Sequence, residues 1–179
     1  VAHIHCEDVF GITGENVTFP VKIDQKIMEM LWTKNKDKVA EWEGQNEPTY
    51  FAPLRGRGLL NKENGHLTIY KLEKNDTGLY EFTHFVSVKE SHAFMLSVLD
   101  PPPEPEISCS ISDNELVLNC TTPFLQPLKY SWKLDNTLDS RHTQTIAIPK
   151  NAFKKAVCST KISQTERSSE ISLTQSCRD

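Results

Sequence analysis

Asn75-Asp76-Thr77-Gly78-Leu79-Tyr80 is the stretch from which the fold of this chain is read. It has the form Asp-x-Gly-x-Tyr, a turn that feeds directly into a strand. A buried tyrosine one turn after an Asp-Gly bend fixes the corner before the penultimate strand of an antiparallel β-sandwich. Tyr80-Glu81-Phe82-Thr83-His84-Phe85 supplies that strand, and Ala93-Phe94-Met95-Leu96-Ser97-Val98 the last one of the first half. Arg57 lies just before Leu59-Leu60, placed to pair with Asp76 across the base of the sandwich and stabilise the turn.

Working upstream, Val17, Phe19, Val21 and Ile23 alternate with polar residues, as a half-buried strand requires. Pro20 falls on the opposite side and weakens pairing there. Fixing Trp32 inward also turns Met30 inward and leaves Glu29, Leu31 and Thr33 outward. Lys34-Asn35-Lys36-Asp37-Lys38 reads as a polar hairpin tip, after which Val39-Ala40-Glu41-Trp42-Glu43 alternates again. Leu59-Leu60 and Leu67-Thr68-Ile69-Tyr70 bracket Asn64-Gly65, a two-residue hairpin signal. Together these positions resemble a variable-type immunoglobulin domain. Trp32 stands where its strand C tryptophan belongs, and Val21 and Phe82 stand where its two inter-sheet cysteines would be. The resemblance implies an all-β, V-type sandwich that packs Val21 and Phe82 against Trp32 without a bridge, and it implies a recognition module.

At 179 residues the chain has room for two such sandwiches of ~100 residues or less. Asp100-Pro101-Pro102-Pro103-Glu104-Pro105 can form neither a helix nor a central strand, and marks the connector. The expected organisation is residues 1–6 as a leader remnant or added residues, 7–100 as the V-like ligand-binding domain and 101–179 as a C2-like membrane-proximal domain. Residues 1–100 carry 11 Lys+Arg against 15 Asp+Glu, and residues 101–179 carry 9 against 9, so the net charge of −4 comes entirely from the first half. An acidic balance without a basic stripe argues against nucleic acid as a partner. No apolar run approaches the ~18 residues of a membrane span.

Four of five cysteines (Cys109, Cys120, Cys158, Cys177) lie in the second half. With Asn-x-Ser/Thr acceptors at Asn16, Asn75 and Asn119, they indicate a secreted or cell-surface chain in an oxidising compartment, and the ectodomain of a cell-surface protein is the reading taken. In Leu116-Val117-Leu118-Asn119-Cys120 alternation sends Cys120 inward and leaves Asn119 outside for a glycan. Trp132, in Tyr130-Ser131-Trp132, has the spacing of a strand C tryptophan. Four cysteines allow three connectivities. The sandwich arrangement pairs Cys120 with Cys158 between sheets and leaves Cys109 with Cys177, joining first and last strands. Each bridge in so small a core adds ~2–4 kcal/mol.

No catalytic or cofactor signature is present. The sequence has no Gly-rich phosphate loop, no Gly-x-Ser-x-Gly, no His-Glu-x-x-His and no Cys-x-x-Cys, so it is read as a non-enzyme without a cofactor. His3, His5 and Cys6 have metal-binding chemistry, but they sit at a terminus with no closing ligand.

Tandem domains, the first without its inter-sheet disulfide and the second with two, resemble the signalling-lymphocyte-activation-molecule subset of the immunoglobulin superfamily. Leu31-Trp32-Thr33-Lys34-Asn35-Lys36-Asp37-Lys38-Val39-Ala40-Glu41 carries the resemblance most strongly, and Leu67-Thr68-Ile69-Tyr70 and Tyr130-Ser131-Trp132 fit it. It implies a monomeric adhesion ligand whose partner is the T-cell and natural-killer receptor called cluster of differentiation two. It also implies a binding face on strands G, F, C and C′, with contacts from Glu29, Lys34, Lys36, Asp37, Lys38, Glu41 and Phe51, joined by Lys89 and Glu90. Thr33 and Phe85 depart from the family pattern, standing for a lysine and a proline. One alternative is a glycolipid-anchored ligand of the same subset, which the linker Leu99-Asp100-Pro101 resembles; another is a homophilic or viral-decoy relative, which requires Leu31, Trp42 and Phe85 to gather on one apolar surface.

Overall fold

Inward alternation on short strands builds both halves of the chain, which cluster as two units, Val1–Asp100 and Pro101–Asp179. The computed structural model describes residues 5–85, 90–124, 128–174 and 177. The chain is all-β, with two immunoglobulin-like sandwiches, and among the described residues no helix is long and apolar enough to cross a membrane.

In the first unit the strands are β1 (His5–Ile12), β2 (Val17–Phe19), β3 (Met30–Lys34), β4 (Asp37–Trp42), β5 (Thr49–Tyr50), β6 (Gly58–Leu60), β7 (Leu67–Ile69), β8 (Gly78–His84) and β9 (Glu90–Leu99). They form one sheet in the order β1-β9-β8-β3-β4-β5 and a second in the order β2-β7-β6. β1 runs parallel to β9 and carries Cys6, an exposed free thiol, in register with Ala93. The remaining pairings are antiparallel.

Between the sheets lie five fully or nearly fully buried aromatic rings: Phe19, Trp32, Tyr80, Phe82 and Phe94. Phe19 is their hub, with ring centroids 5.4 Å from Trp32, 4.8 Å from Tyr80 and 5.3 Å from Phe94. Phe82 lies 5.2 Å from Trp32. Tilted rings at these separations gain more than their buried area alone gives. Trp32 is thus in contact with both Phe19 and Phe82. Val21 is buried in the same core but lies beyond the end of β2. Pro20 has no N–H to give the ladder, and the chain leaves the sheet there in a tight turn in which the Val21 N–H meets the Phe19 carbonyl at 3.0 Å.

Two other local expectations shift. The β3–β4 register pairs Trp32 with Ala40 but Thr33 with Lys38, so Val39 is an extra residue and the alternation slips. Val39 and Ala40 are consequently both buried. The β6–β7 connection is the six-residue loop 61–66 and not a two-residue hairpin. Its Gly65 adopts φ +77° with Phe82 closing over it, and its carbonyl accepts the Trp32 indole N–H at 3.0 Å.

The corner that follows is closed by three groups. The Tyr80 hydroxyl donates to the Asp76 carbonyl at 2.6 Å. Arg57 donates twice to the Asp76 carboxylate, at 2.8 and 2.9 Å, in a planar two-point match. The Glu73 N–H donates to Asp76 at 2.8 Å. Burial by itself pushes the Asp76 carboxyl up; the bonds from Arg57 and Glu73, with the Arg57 and Lys34 charges, outweigh it and hold the group below the ordinary carboxylate range.

The second unit has strands β10 (Glu106–Ser112), β11 (Glu115–Thr121), β12 (Lys129–Leu134), β13 (Thr137–Leu138), β14 (Thr145–Pro149), β15 (Lys155–Ile162) and β16 (Thr165–Ser172). Sheets β10-β11-β14 and β13-β12-β15-β16 face each other. Cys120 of β11 is bonded to Cys158 of β15 between them, beside the buried Trp132. Cys109 of β10 is bonded to Cys177, which lies past the end of β16 and not on it. Both pairings are those expected from the sandwich arrangement, and the first unit has no disulfide among its described residues. At the corner where tyrosine is missing, buried Ala156 takes its place, and Asp135 accepts the N–H groups of Lys154 and Lys155 at 2.9 and 3.1 Å.

Candidate partner-binding face

Strand parity sorts the side chains of the large sheet of the first unit. Met30, Trp32, Tyr80, Phe82 and Phe94 point into the core, so Leu31, Thr33, Leu79, Glu81 and Thr83 turn to the opposite side, with the small, buried Ala93 beneath them. Register then aligns them in rows. One row is Lys38, Thr33, Glu81 and Ala93; the next is Glu41, Leu31, Thr83 and Ser91.

Among the described residues two ion pairs lie on this surface. Lys36 Nζ is 2.8 Å from Glu81 Oε1, and Lys38 Nζ is 3.2 Å from Glu41 Oε2. Glu29, Asp37 and Glu43 are exposed and make no ion pair among the described residues. The cations at the tip are engaged, while three carboxylates are left to solvent.

The tip owes its shape to Asn35 and Lys36, at φ 49° and 75°. Two successive left-handed residues make the two-residue turn whose twist matches the flanking strands. Asn35 tolerates this conformation because its side chain finds a local partner. Its Oδ1 accepts the Leu79 N–H at 2.9 Å, and its own N–H donates to the Leu79 carbonyl at 2.8 Å.

The sequence-derived contact residues separate on this geometry. Lys36, Asp37, Lys38 and Glu41 share the tip and β4. Glu29 lies just before β3, its carbonyl accepting the Phe85 N–H at 3.2 Å. Phe51 is half-buried beyond β5 and donates its N–H to Val39 at 3.0 Å. Lys34 has the parity of Trp32, stands in register with Tyr80 and gives its ammonium to the Asn75 carbonyl, away from the row of charges. Glu90 opens β9 opposite His84, and Lys89 and the side chain of Glu90 lie outside the described residues, as do residues 1–4 with His3.

Glu81 was missed by sequence reasoning, although its position between inward Tyr80 and Phe82 assigns it to this surface. The apolar trio of the rival reading does not assemble. Leu31 faces outward and Phe85 is exposed, but Trp42 is in register with Met30, packs against the core and donates its indole N–H to Asn46 at 3.1 Å.

The three glycan acceptors are spread apart. Asn16 and Asn75 are exposed, Asn16 accepting the Lys71 N–H at 3.1 Å, and Asn119 is half-buried on β11 with its Oδ1 taking the Thr145 hydroxyl at 2.9 Å. Among the described residues no group of three or more His, Cys, Asp or Glu side chains is placed to hold a metal ion.

Against known proteins, no family model matches this chain. It is 32% identical over 131 residues to human lymphocyte function-associated antigen 3, covering 69% of this chain and 52% of that protein. The chain thus spans about half the length of that relative. It is 24% identical over 188 aligned positions to the human CD48 antigen, covering 97% and 77% respectively. In fold it is similar to the crystal structure of the CD2-binding domain of CD58 (lymphocyte function-associated antigen 3), with TM-score 0.57 and 24% identity over 92% of this chain and 95% of that one.

Proposed function

We propose that the chain is an immunoglobulin-superfamily protein of the CD2 family, akin to lymphocyte function-associated antigen 3 and CD48, and that it is the extracellular part of a cell-surface adhesion ligand. Its partner is CD2, borne by a T cell or natural-killer cell, and its docking surface is the outward face of β9, β8, β3 and β4. The observation that supports this reading is the concentration of charge there: the Lys36–Glu81 and Lys38–Glu41 pairs with Glu29, Asp37 and Glu43 around them.

Such a face suits contacts that form quickly and part easily. Solvent-exposed ion pairs contribute only ~0–1 kcal/mol each. Complementary charge raises the encounter rate and rejects wrong partners. Many copies between two apposed membranes then supply strength by multivalency. The second unit, tied by two disulfides, acts as a firm spacer, and glycans on Asn16, Asn75 and Asn119 belong to the same extracellular setting.

The test is surface plasmon resonance against CD2 of the same species. Lys36→Glu and Asp37→Lys each abolish binding while circular dichroism stays that of a folded sandwich, and added salt slows association of the unaltered chain. Unchanged affinity in both variants removes the face from consideration.

A further inference from the structure

We propose that Glu81 is a positioning residue of this face: from β8 it holds the Lys36 ammonium down against the sheet, leaving Asp37 as the charge that the hairpin tip offers to a partner. This deepens the reading given above and rests on it.

Four observations carry the inference. Tyr80 and Phe82 are both fully buried, so the strand has no freedom to turn Glu81 anywhere but outward. Its cross-strand neighbours are Thr33 and Ala93, neither of them charged. Glu81 is only 15% exposed, whereas Lys36, at 2.8 Å, is 78% exposed. A carboxylate so far withdrawn from water requires a cation, and the ammonium of an otherwise open lysine is the one that reaches it. The tie therefore runs from the strand to the loop.

The consequence falls on the tip. Lys38 is engaged by Glu41, and Lys36 by Glu81, while adjacent Asp37 has no ion pair among the described residues. Releasing Lys36 would put a mobile positive charge beside Asp37 and blur what the partner meets. Glu81 thus acts on recognition through Lys36 and not by its own contact.

A double-mutant cycle in CD2 binding separates the two roles, using the unaltered chain, Glu81→Gln, Lys36→Met and the double variant. Glu81→Gln weakens binding about tenfold in the unaltered background. In the Lys36→Met background the same change moves affinity by less than about twofold. An equal loss in both backgrounds overturns the proposal, because Glu81 would then act without Lys36. A partner-free measurement guards against failure of the receptor assignment. The Lys36 15Nζ shift, read through the non-exchanging Hε protons, is displaced in the unaltered chain and returns to that of a free lysine in Glu81→Gln, with unfolding midpoints of the two nearly the same. If the unaltered chain does not bind CD2, the receptor reading fails, and this signal decides the positioning role alone. Its indifference to Glu81→Gln overturns that role.

Discussion

The two sandwiches solve one problem in different materials. Each must hold two sheets together around a tryptophan, Trp32 in the first unit and Trp132 in the second. The second uses covalent chemistry: Cys120–Cys158 across the middle and Cys109–Cys177 from its first strand to just past its last. The first uses rings, with Phe19 touching Trp32, Tyr80 and Phe94, and Phe82 also against Trp32. It adds a salt-bridged corner, Arg57 to Asp76, where the second has only Ala156 and a capping Asp135. The difference teaches that an inter-sheet bridge is replaceable where enough aromatic surface can be buried in its place.

Reduction breaks the comparison most sharply. Excess thiol removes about 2–5 kcal/mol of stability per bridge from the second unit, while the first, whose described residues hold no disulfide, is unmoved. Denaturant titration checks this, with fluorescence of Trp32 and Trp42 reporting the first unit and Trp132 the second in single-tryptophan variants. Two equal responses to reduction would refute the division of labour.

Next in size is the aromatic hub. Phe19→Ala destabilises the first unit by about 3–5 kcal/mol, whereas Val21→Ala costs about 1–3 kcal/mol, in keeping with a smaller buried side chain. The ordering, read from urea midpoints, identifies which residue stands in for the missing sulfur. Reversal would return that role to Val21.

The smallest effect sharpens the contrast through acidity. The folded chain holds the Asp76 carboxyl below its ordinary value, so the unfolded chain binds more protons between that lowered value and about 3.9. Stability from this group is therefore complete above pH ~4 and is lost as pH falls through the folded value. Asp76→Asn costs the first unit about 2–3 kcal/mol at neutral pH and flattens that acid limb, measured by thermal unfolding across pH 2–7. The second unit's profile stays as it was.

Much of the architecture was legible because it rests on local chemistry that cannot be arranged otherwise. Asp76-x-Gly78-x-Tyr80 announced the corner, and inward Cys120 and Cys158 had one sensible mate each. What escaped was set by backbone irregularity. Pro20 ends β2 early and hands the central position to Phe19; the extra residue at Val39 turns two consecutive side chains inward; and loop 61–66 is longer than Asn64-Gly65 suggested. None of these changes composition or period enough to be seen in a string of letters. The charged face was legible in part, since the tip residues were named from their resemblance. Strand parity, already fixed by Trp32 and Tyr80, carried two further messages that were not used: Lys34 belongs with the inward set, and Glu81 with the outward one.

At the foot of the first sandwich, Gly78 has almost no space above it. A Cβ there would sit 2.9 Å from Asn35 Nδ2 and 3.0 Å from Asn35 Oδ1. The bend that starts β8 and the β3–β4 hairpin tip are thus clamped together through one asparagine. Inheritance cannot tune one without disturbing the other. A substitution at Gly78 would press on Asn35 and disturb the tip along with the start of β8.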